Sequence, residues 1–66
     1  MEMIPVRSSA TRAIGYNPST GQMQIQFKQG KTYMFCGVPQ HVFDSFLSAG
    51  SKGSYYDNHI RDRYQC

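Results

Sequence analysis

Polar and apolar residues alternate without a break along residues 22–28, which read Gln-Met-Gln-Ile-Gln-Phe-Lys. This period of two is typical of an antiparallel strand with one buried face. Shorter runs of the same kind cover residues 11–16 and 31–36, and the turn segment 17–21 and Gly30 separate the three runs. The pattern therefore predicts a three-stranded antiparallel β-meander.

Loop lengths predict the register of these strands. A three-residue loop, 28–30, with Gly30 in the left-handed conformation keeps the aromatic residues of the third strand on the apolar face, whereas a two-residue turn would invert them. A loop over residues 18–21, with Gly21 left-handed, does the same upstream. The expected cross-strand pairs are Ile14–Ile25, Tyr16–Met23, Ile25–Tyr33 and Met23–Phe35.

This register divides the sheet into two faces of different character. The apolar face, which we expect to form the core, carries Ile14, Tyr16, Met23, Ile25, Phe27, Tyr33 and Phe35. The opposite face is neutral, and we expect it to be flat and uncovered; its residues are Thr11, Ala13, Gly15, Gln22, Gln24, Gln26, Thr32, Met34 and Cys36.

Helical spacing replaces strand spacing after Gly37. Pro39 suits a first helical position, Gly50 suits the end, and one apolar stripe lies between them. The stripe comprises Val38, Val42, Phe43, Phe46 and Leu47. Ser54 with Asp57 three residues later matches a capping box, which predicts a short second helix with Tyr56, Ile60 and Tyr64 facing inward. The prediction is one α+β domain over residues 1–66, in the order β-β-β-α-α.

A chain of 66 residues buries a small core, so disulfides, a metal or oligomerisation are the usual sources of extra stability. Cys36 and Cys66 are the only cysteines, and neither they nor the two histidines form the close pairs typical of zinc ligands. We therefore expect free thiols, no metal, no cofactor and a homo-oligomer. No apolar run of membrane-spanning length and no secretory signal is visible, which predicts a cytoplasmic protein.

Several short motifs occur in an order that resembles the KTSC domain, which is named after the C-terminus of some lysyl-tRNA synthetases and also occurs as a free-standing bacterial or phage protein. They are Ser8-Ser9, Ile14-Gly15-Tyr16, Phe27-Lys28-Gln29-Gly30, Tyr33-Met34-Phe35, Gly37-Val38-Pro39, Ala49-Gly50-Ser51-Lys52-Gly53, Tyr55-Tyr56 and Ile60-Arg61. Phe35 departs from the family pattern, which has a second tyrosine there. The link to a tRNA synthetase implies RNA binding by analogy.

Two candidate chemistries fare poorly on the predicted fold. Cys36, His41 and Asp44 contain the residue types of a cysteine nucleophile with its base, but the predicted sheet separates Cys36 from the helix that carries the other two. Tyr33 and Phe35 resemble a base-stacking pair, yet the register places both under the first helix. We therefore predict a protein that is not an enzyme and whose central aromatics form the core.

The best predicted site is the start of the second helix, where Lys52 adds charge to the free amides of Gly53 and Ser54. Tyr55 is expected to stack on a base or sugar. Arg61, Arg63, Lys28 and Lys31 would extend the basic surface of a chain with net charge +3.

Three functions follow from these residues. The first is RNA binding through backbone phosphates. The second is a homo-oligomeric phage or prophage protein that binds or sequesters a small phosphate-bearing nucleotide. The third is a structural interaction module, which remains if no anion binds.

Overall fold

The predicted strand register is confirmed by the computed structural model, which describes residues 1–66. Ile14 lies opposite Ile25, Tyr16 opposite Met23, Ile25 opposite Tyr33, and Met23 opposite Phe35. Both loop glycines have positive φ, 76° at Gly21 and 102° at Gly30, a region that only glycine enters without a steric penalty. The elements in chain order are β1 (Met3–Pro5), β2 (Thr11–Asn17), β3 (Gln22–Phe27), β4 (Thr32–Phe35), α1 (Gln40–Ser48) and α2 (Lys52–Tyr55), which continues as a π-helical segment (Tyr56–Ile60).

The sheet has four strands in the order β1-β2-β3-β4, so the expected number of three is wrong. The extra strand, β1, pairs antiparallel with β2, and Met3 lies opposite Gly15. A side chain at Gly15 would collide with Met3, since its Cβ would be 2.6 Å from the Met3 sulfur. Three residues that end in proline are too short for the alternation to show, which explains why the sequence pattern missed this strand.

The N-terminal strand and a bulge also change the face that we expected to be uncovered. Gly15 and Ala13 on that face are buried. A register shift between Thr11 and Ala13 places Thr11 opposite Phe27, on the core side, where its hydroxyl is buried without a hydrogen-bond partner. A β-bulge adds one residue to a strand, so the side chains that precede it point to the opposite face from the one that unbroken alternation would give. The exposed remainder of the face lies on β3 and β4.

Helix α1 covers the apolar face of the sheet and forms the core with it. The buried cluster consists of Ile14, Met23, Ile25, Phe35, Val38, Val42, Phe43, Phe46 and Ile60. Tyr16 stacks on Phe43 with ring centroids 4.7 Å apart, and its hydroxyl donates a 2.6 Å hydrogen bond to the Val38 carbonyl. This bond fixes the connection between β4 and α1 to strand β2, across the core face of the sheet.

Tyr33 is not a core residue, contrary to the prediction. It shares the apolar side of the sheet with Ile25, but its side chain is 42% exposed because β4 is an edge strand. The ring meets Phe27 edge to face at 5.5 Å. Phe35, at 7% exposure, is a core residue as predicted.

The second helix begins two residues before the predicted cap. Ser51 is its N-cap, and the Ser51 hydroxyl accepts a hydrogen bond from the Ser54 amide at 3.4 Å. Ser54 is therefore a residue of the first turn, because the earlier serine offers the same capping geometry. Ile60 is buried and Tyr56 and Tyr64 are half-buried, as the inward-facing stripe predicted.

Cys36 and Cys66 form a disulfide, so the expectation of two free thiols is wrong. They are 30 residues apart in the sequence, and their Cα atoms are 4.9 Å apart in the fold. The C-terminal tail causes this proximity by returning to the end of β4, where the Cys36 amide donates to the Tyr64 carbonyl at 2.8 Å.

None of the helices has the length and apolar character required to span a bilayer.

Candidate functional site

The predicted anion site at the start of α2 has already used two of its donors. The Lys52 ammonium donates to the Ala49 carbonyl at 3.1 Å, where it caps the end of α1. The Ser54 amide donates to the Ser51 hydroxyl. Both groups therefore stabilise the α1–α2 connection, which leaves fewer free donors for a phosphate.

The other predicted cations lie on separate elements. Arg61 is 3.8 Å from Asp57 and 3.9 Å from Asp62, which partly offset its charge. These pairs are exposed, so they contribute little to stability. Lys28 and Lys31 flank the turn between β3 and β4 and are exposed. Of the predicted basic residues, Arg63 lines a cavity, whereas the other four, Lys28, Lys31, Lys52 and Arg61, do not.

Two predicted residues, Tyr55 and Arg63, do meet in a cavity of about 420 Å³. We call it the helix–tail cavity, because α1, the end of α2, the π-helical segment and the C-terminal tail each form one wall. Its lining residues are His41, Val42, Tyr55, Asn58, His59, Arg63 and Tyr64. The volume lies within the usual range for small-molecule sites, about 300–1,000 Å³.

Tyr55 is held by a stack of rings at this cavity. Its ring stacks on Phe46 of the core at 5.7 Å and lies 4.4 Å from the His59 ring, with an angle of 36° between the planes. Tyr55 and His59 are four residues apart, so helical geometry places them on the same side. The core residue Phe46 therefore positions Tyr55, which in turn positions His59.

The π-helical segment supplies two polar groups to the cavity, Asn58 and His59, while it buries Ile60. Its wider turn closes with a 2.8 Å bond from the Arg61 amide to the Tyr56 carbonyl. Single π-helical turns within α-helices occur frequently at functional sites, because they redirect side chains. Here the turn ends the helix and begins the tail.

The chemistry of the lining favours an anion with a planar ring. Arg63 carries a permanent positive charge and five N–H donors, and none of the lining residues is acidic. Asn58 and the two imidazoles add further donors, and Tyr55 and Tyr64 offer aromatic surface. Arginine pairs with phosphate or carboxylate through two parallel hydrogen bonds.

A second depression, of about 440 Å³, lies beside the disulfide and has the opposite character. Its lining is mostly hydrophobic and includes Tyr33 and Tyr56, and its charged residue is Asp62. Burial raises the pKa of Tyr56 above its ordinary value, and the nearby Arg61 guanidinium opposes that shift in part. This depression therefore suits an anion less well than the helix–tail cavity does.

The disulfide excludes the candidate cysteine nucleophile, and the histidines are not part of a metal cluster. Cys36 is bonded to Cys66, so it has no thiolate for His41 to generate. His41 and His59 share the cavity, but no group of three or more His, Cys, Asp or Glu residues is placed to bind a metal ion.

Four residues that line the cavity were not predicted from the sequence as binding residues, namely His41, Asn58, His59 and Tyr64. The spacing of Tyr55 and His59 was a usable signal, since both fall on one side of a helix. The return of the tail, which adds Arg63 and Tyr64, leaves no trace in the local pattern.

Comparison with known proteins gives a consistent answer over nearly the whole chain. The model of the KTSC domain family matches residues 7–64. A protein of Tsukamurella paurometabola is 38% identical, with 96% of this chain and 94% of that protein covered. An uncharacterized protein of Stutzerimonas stutzeri is 27% identical over 97% of this chain and 90% of its own. The crystal structure of a KTSC domain protein from Yersinia pestis matches with a TM-score of 0.94 and 38% identity, and covers 98% of this chain and 92% of that one.

Proposed function

This chain belongs to the KTSC domain family, and we propose that it is a non-enzymatic binding protein whose helix–tail cavity takes a small phosphate-bearing nucleotide. One observation carries the proposal: a permanent cation, two imidazoles and two tyrosine rings line one cavity, and its lining contains no acidic residue. Arg63 would pair with the phosphate, and the rings would pack against the sugar or base.

The size of the cavity supports one nucleotide rather than a strand. A volume of about 420 Å³ accommodates a single nucleotide unit, whereas sequence-independent RNA binding uses a continuous basic groove with several stacking rings. Lys28 and Lys31 lie at the turn between β3 and β4, and Lys52 lies at the start of α2, which does not favour such a groove. The net charge of +3 supports attraction of either ligand.

The test is a titration of the oxidised, isotopically labelled protein with adenosine monophosphate, followed by amide chemical shifts. We expect saturable shifts at residues 55–64 and at His41. Inorganic phosphate should move the same amides at higher concentration, and adenosine alone should move fewer of them.

Arg63→Gln and Arg7→Gln form a matched pair, because both remove one exposed positive charge and only Arg63 lines the cavity. Loss of a charge-assisted hydrogen bond costs about 1.5–3 kcal/mol, so Arg63→Gln should weaken adenosine monophosphate binding about ten-fold or more. Arg7→Gln should leave it unchanged. Equal effects of the two variants would show that only net charge matters.

RNA binding and a purely structural role are the other outcomes. A single-stranded RNA that binds with a steep salt dependence, weakened about one unit in slope by Lys52→Gln, would favour the first. Titrations with nucleotide, phosphate and RNA that move no amide would leave a protein-interaction module.

A further inference from the structure

We infer that the Cys36–Cys66 disulfide is a redox latch that holds the C-terminal tail as one wall of the helix–tail cavity. Its effect on ligand affinity rests on the function proposed above, whereas its effect on the tail does not. The disulfide joins the last residue of the chain to the end of β4. It therefore controls the segment that carries Arg63 and Tyr64.

Few other interactions hold this tail. Beyond Ile60, one hydrogen bond connects it to the sheet region, the one from the Cys36 amide to the Tyr64 carbonyl. The Arg63 amide donates to Ile60, within the same turn. The Cys66 sulfur is 3.7 Å from the Met34 carbonyl, but a disulfide sulfur has no hydrogen to donate, so this is a contact only.

Burial of the tail is equally limited. Tyr64 is half-buried and packs against the core, while Arg61, Asp62, Arg63, Gln65 and Cys66 are exposed. Segments with little buried apolar surface and few internal hydrogen bonds open at low free energy. With the disulfide broken, a partly buried ring and one backbone bond would remain to hold the tail in place.

The cavity depends on this tail for its charge. Arg63 and Tyr64 are two of its seven lining residues, and Arg63 is its only permanently charged group. The remaining wall residues lie on α1, α2 and the π-helical segment and would stay in place. Opening of the tail would thus remove the phosphate partner and leave the Tyr55 platform behind.

A dithiol is one reductant that would open the disulfide, and Cys66 is the more exposed of the two cysteines and therefore the point of attack. One thiolate of the dithiol attacks Cys66, forms a mixed disulfide, and releases Cys36 as a thiolate that takes up a proton. The second thiol of the reagent then displaces Cys66. Two electrons pass from the dithiol to the protein, which ends with two thiols, and the dithiol ends as a disulfide.

The Cys36 amide is a direct probe of the latch, because its hydrogen bond exists only while Tyr64 is docked. In the oxidised protein it should exchange slowly with deuterium. With dithiothreitol, its exchange should accelerate, while the Ile25 amide in the sheet keeps its protection. Unchanged exchange at Cys36 would overturn the latch, because the tail would then stay docked without the disulfide. Equal acceleration at Cys36 and Ile25 would also overturn it, because reduction would then unfold the whole domain.

Ligand affinity provides the second readout, with adenosine monophosphate as the probe. Reduction should weaken its binding about ten-fold or more, which corresponds to loss of the Arg63 contact. Cys66→Ser should bind like the reduced parent and ignore dithiothreitol. Equal affinity in both redox states would overturn the latch and leave the proposed function standing. No binding in either state would overturn the proposed function. Hydrogen exchange at the Cys36 amide would then still show whether the disulfide holds the tail in place.

Discussion

The sheet with α1, residues 11–48, and the C-terminal segment, residues 51–66, are held in place by different interactions. The first region supplies nearly all of the buried side chains, packed between one sheet face and one helix. The second region supplies a single buried residue, Ile60, and otherwise relies on half-buried tyrosines, a disulfide and one hydrogen bond to Cys36. Stability therefore resides in the first region, whereas most of the residues of the proposed site lie on the second, which can rearrange at lower cost.

The largest expected effect is that of Phe35→Ala, which removes a ring at 7% exposure from the sheet core. Truncation of a buried phenylalanine costs about 3–5 kcal/mol in free energy of unfolding, a large part of the margin of a small domain. Urea denaturation measures the loss. Phe27→Ala should lower the free energy of unfolding by less, because Phe27 is only half-buried. Tyr33→Ala should have a still smaller effect, because Tyr33 is exposed. Similar losses at Phe35 and Tyr33 would contradict the observed burial.

The two regions also differ in how well the sequence predicts them. Strand alternation and two loop glycines set the register of residues 14–35, since each signal is local and a slip of one residue would expose the whole apolar face. The helical stripe of α1 is equally local. The tail, the disulfide and the helix–tail cavity depend on where the chain returns after Ile60, and no periodic pattern encodes that return. Strand β1 and the bulge at residues 11–13 were also not predicted, because each involves too few residues to be visible in the alternation of polar and apolar positions.

A stabilising substitution is expected within the first region. Thr11 is buried and its hydroxyl has no hydrogen-bond partner, an arrangement that costs about 1–3 kcal/mol. Thr11→Val keeps the shape and removes the unpaired group, so the free energy of unfolding should rise by up to that amount. Thr32→Val, at an exposed position of β4, is the control and should change little. A loss of stability in Thr11→Val would indicate that the hydroxyl has a partner in solution.

Ile60→Val tests whether the second region is coupled to the first. Ile60 is fully buried and belongs to the core cluster, so loss of one methylene should cost about 0.5–1.5 kcal/mol. Ile4→Val, at an exposed position of β1, is the matched control. If the segment opens independently of the sheet, hydrogen exchange should accelerate at residues 56–64 more than at β2 and β3. Uniform acceleration would mean that the chain unfolds as a single unit.

Self-association, expected from the small core, should involve the outer edge of the first region. Met34 is 43% exposed on the edge strand β4, and it is next to the neutral side chains of β3. A negative charge there should oppose an apolar contact between copies, so Met34→Glu should lower the mass measured by light scattering. The unfolding midpoint should fall with it, because association stabilises the folded state. Arg12→Gln, at an exposed position of β2, lowers the net charge by the same one unit and is the control. A parent protein that is monomeric at high concentration would contradict the expectation.

The smallest effect is expected at the contact between the two regions, where Tyr56 meets Phe27 at 5.4 Å and Phe35 at 6.0 Å. Burial raises the pKa of Tyr56 above the ordinary value of 10.0, with Arg61 acting in the opposite direction. Below pH 10 both the folded and unfolded states keep the phenol protonated, so its contribution is constant. Above that pH the unfolded state loses the proton first, binds fewer protons than the folded state, and is favoured as the pH rises. The free energy of unfolding should therefore decrease above pH 10, and less steeply in Tyr56→Phe than in Tyr33→Phe. Identical slopes in the two variants would show that Tyr56 is hydrated in solution and that the contact between the two regions is looser than the structure describes.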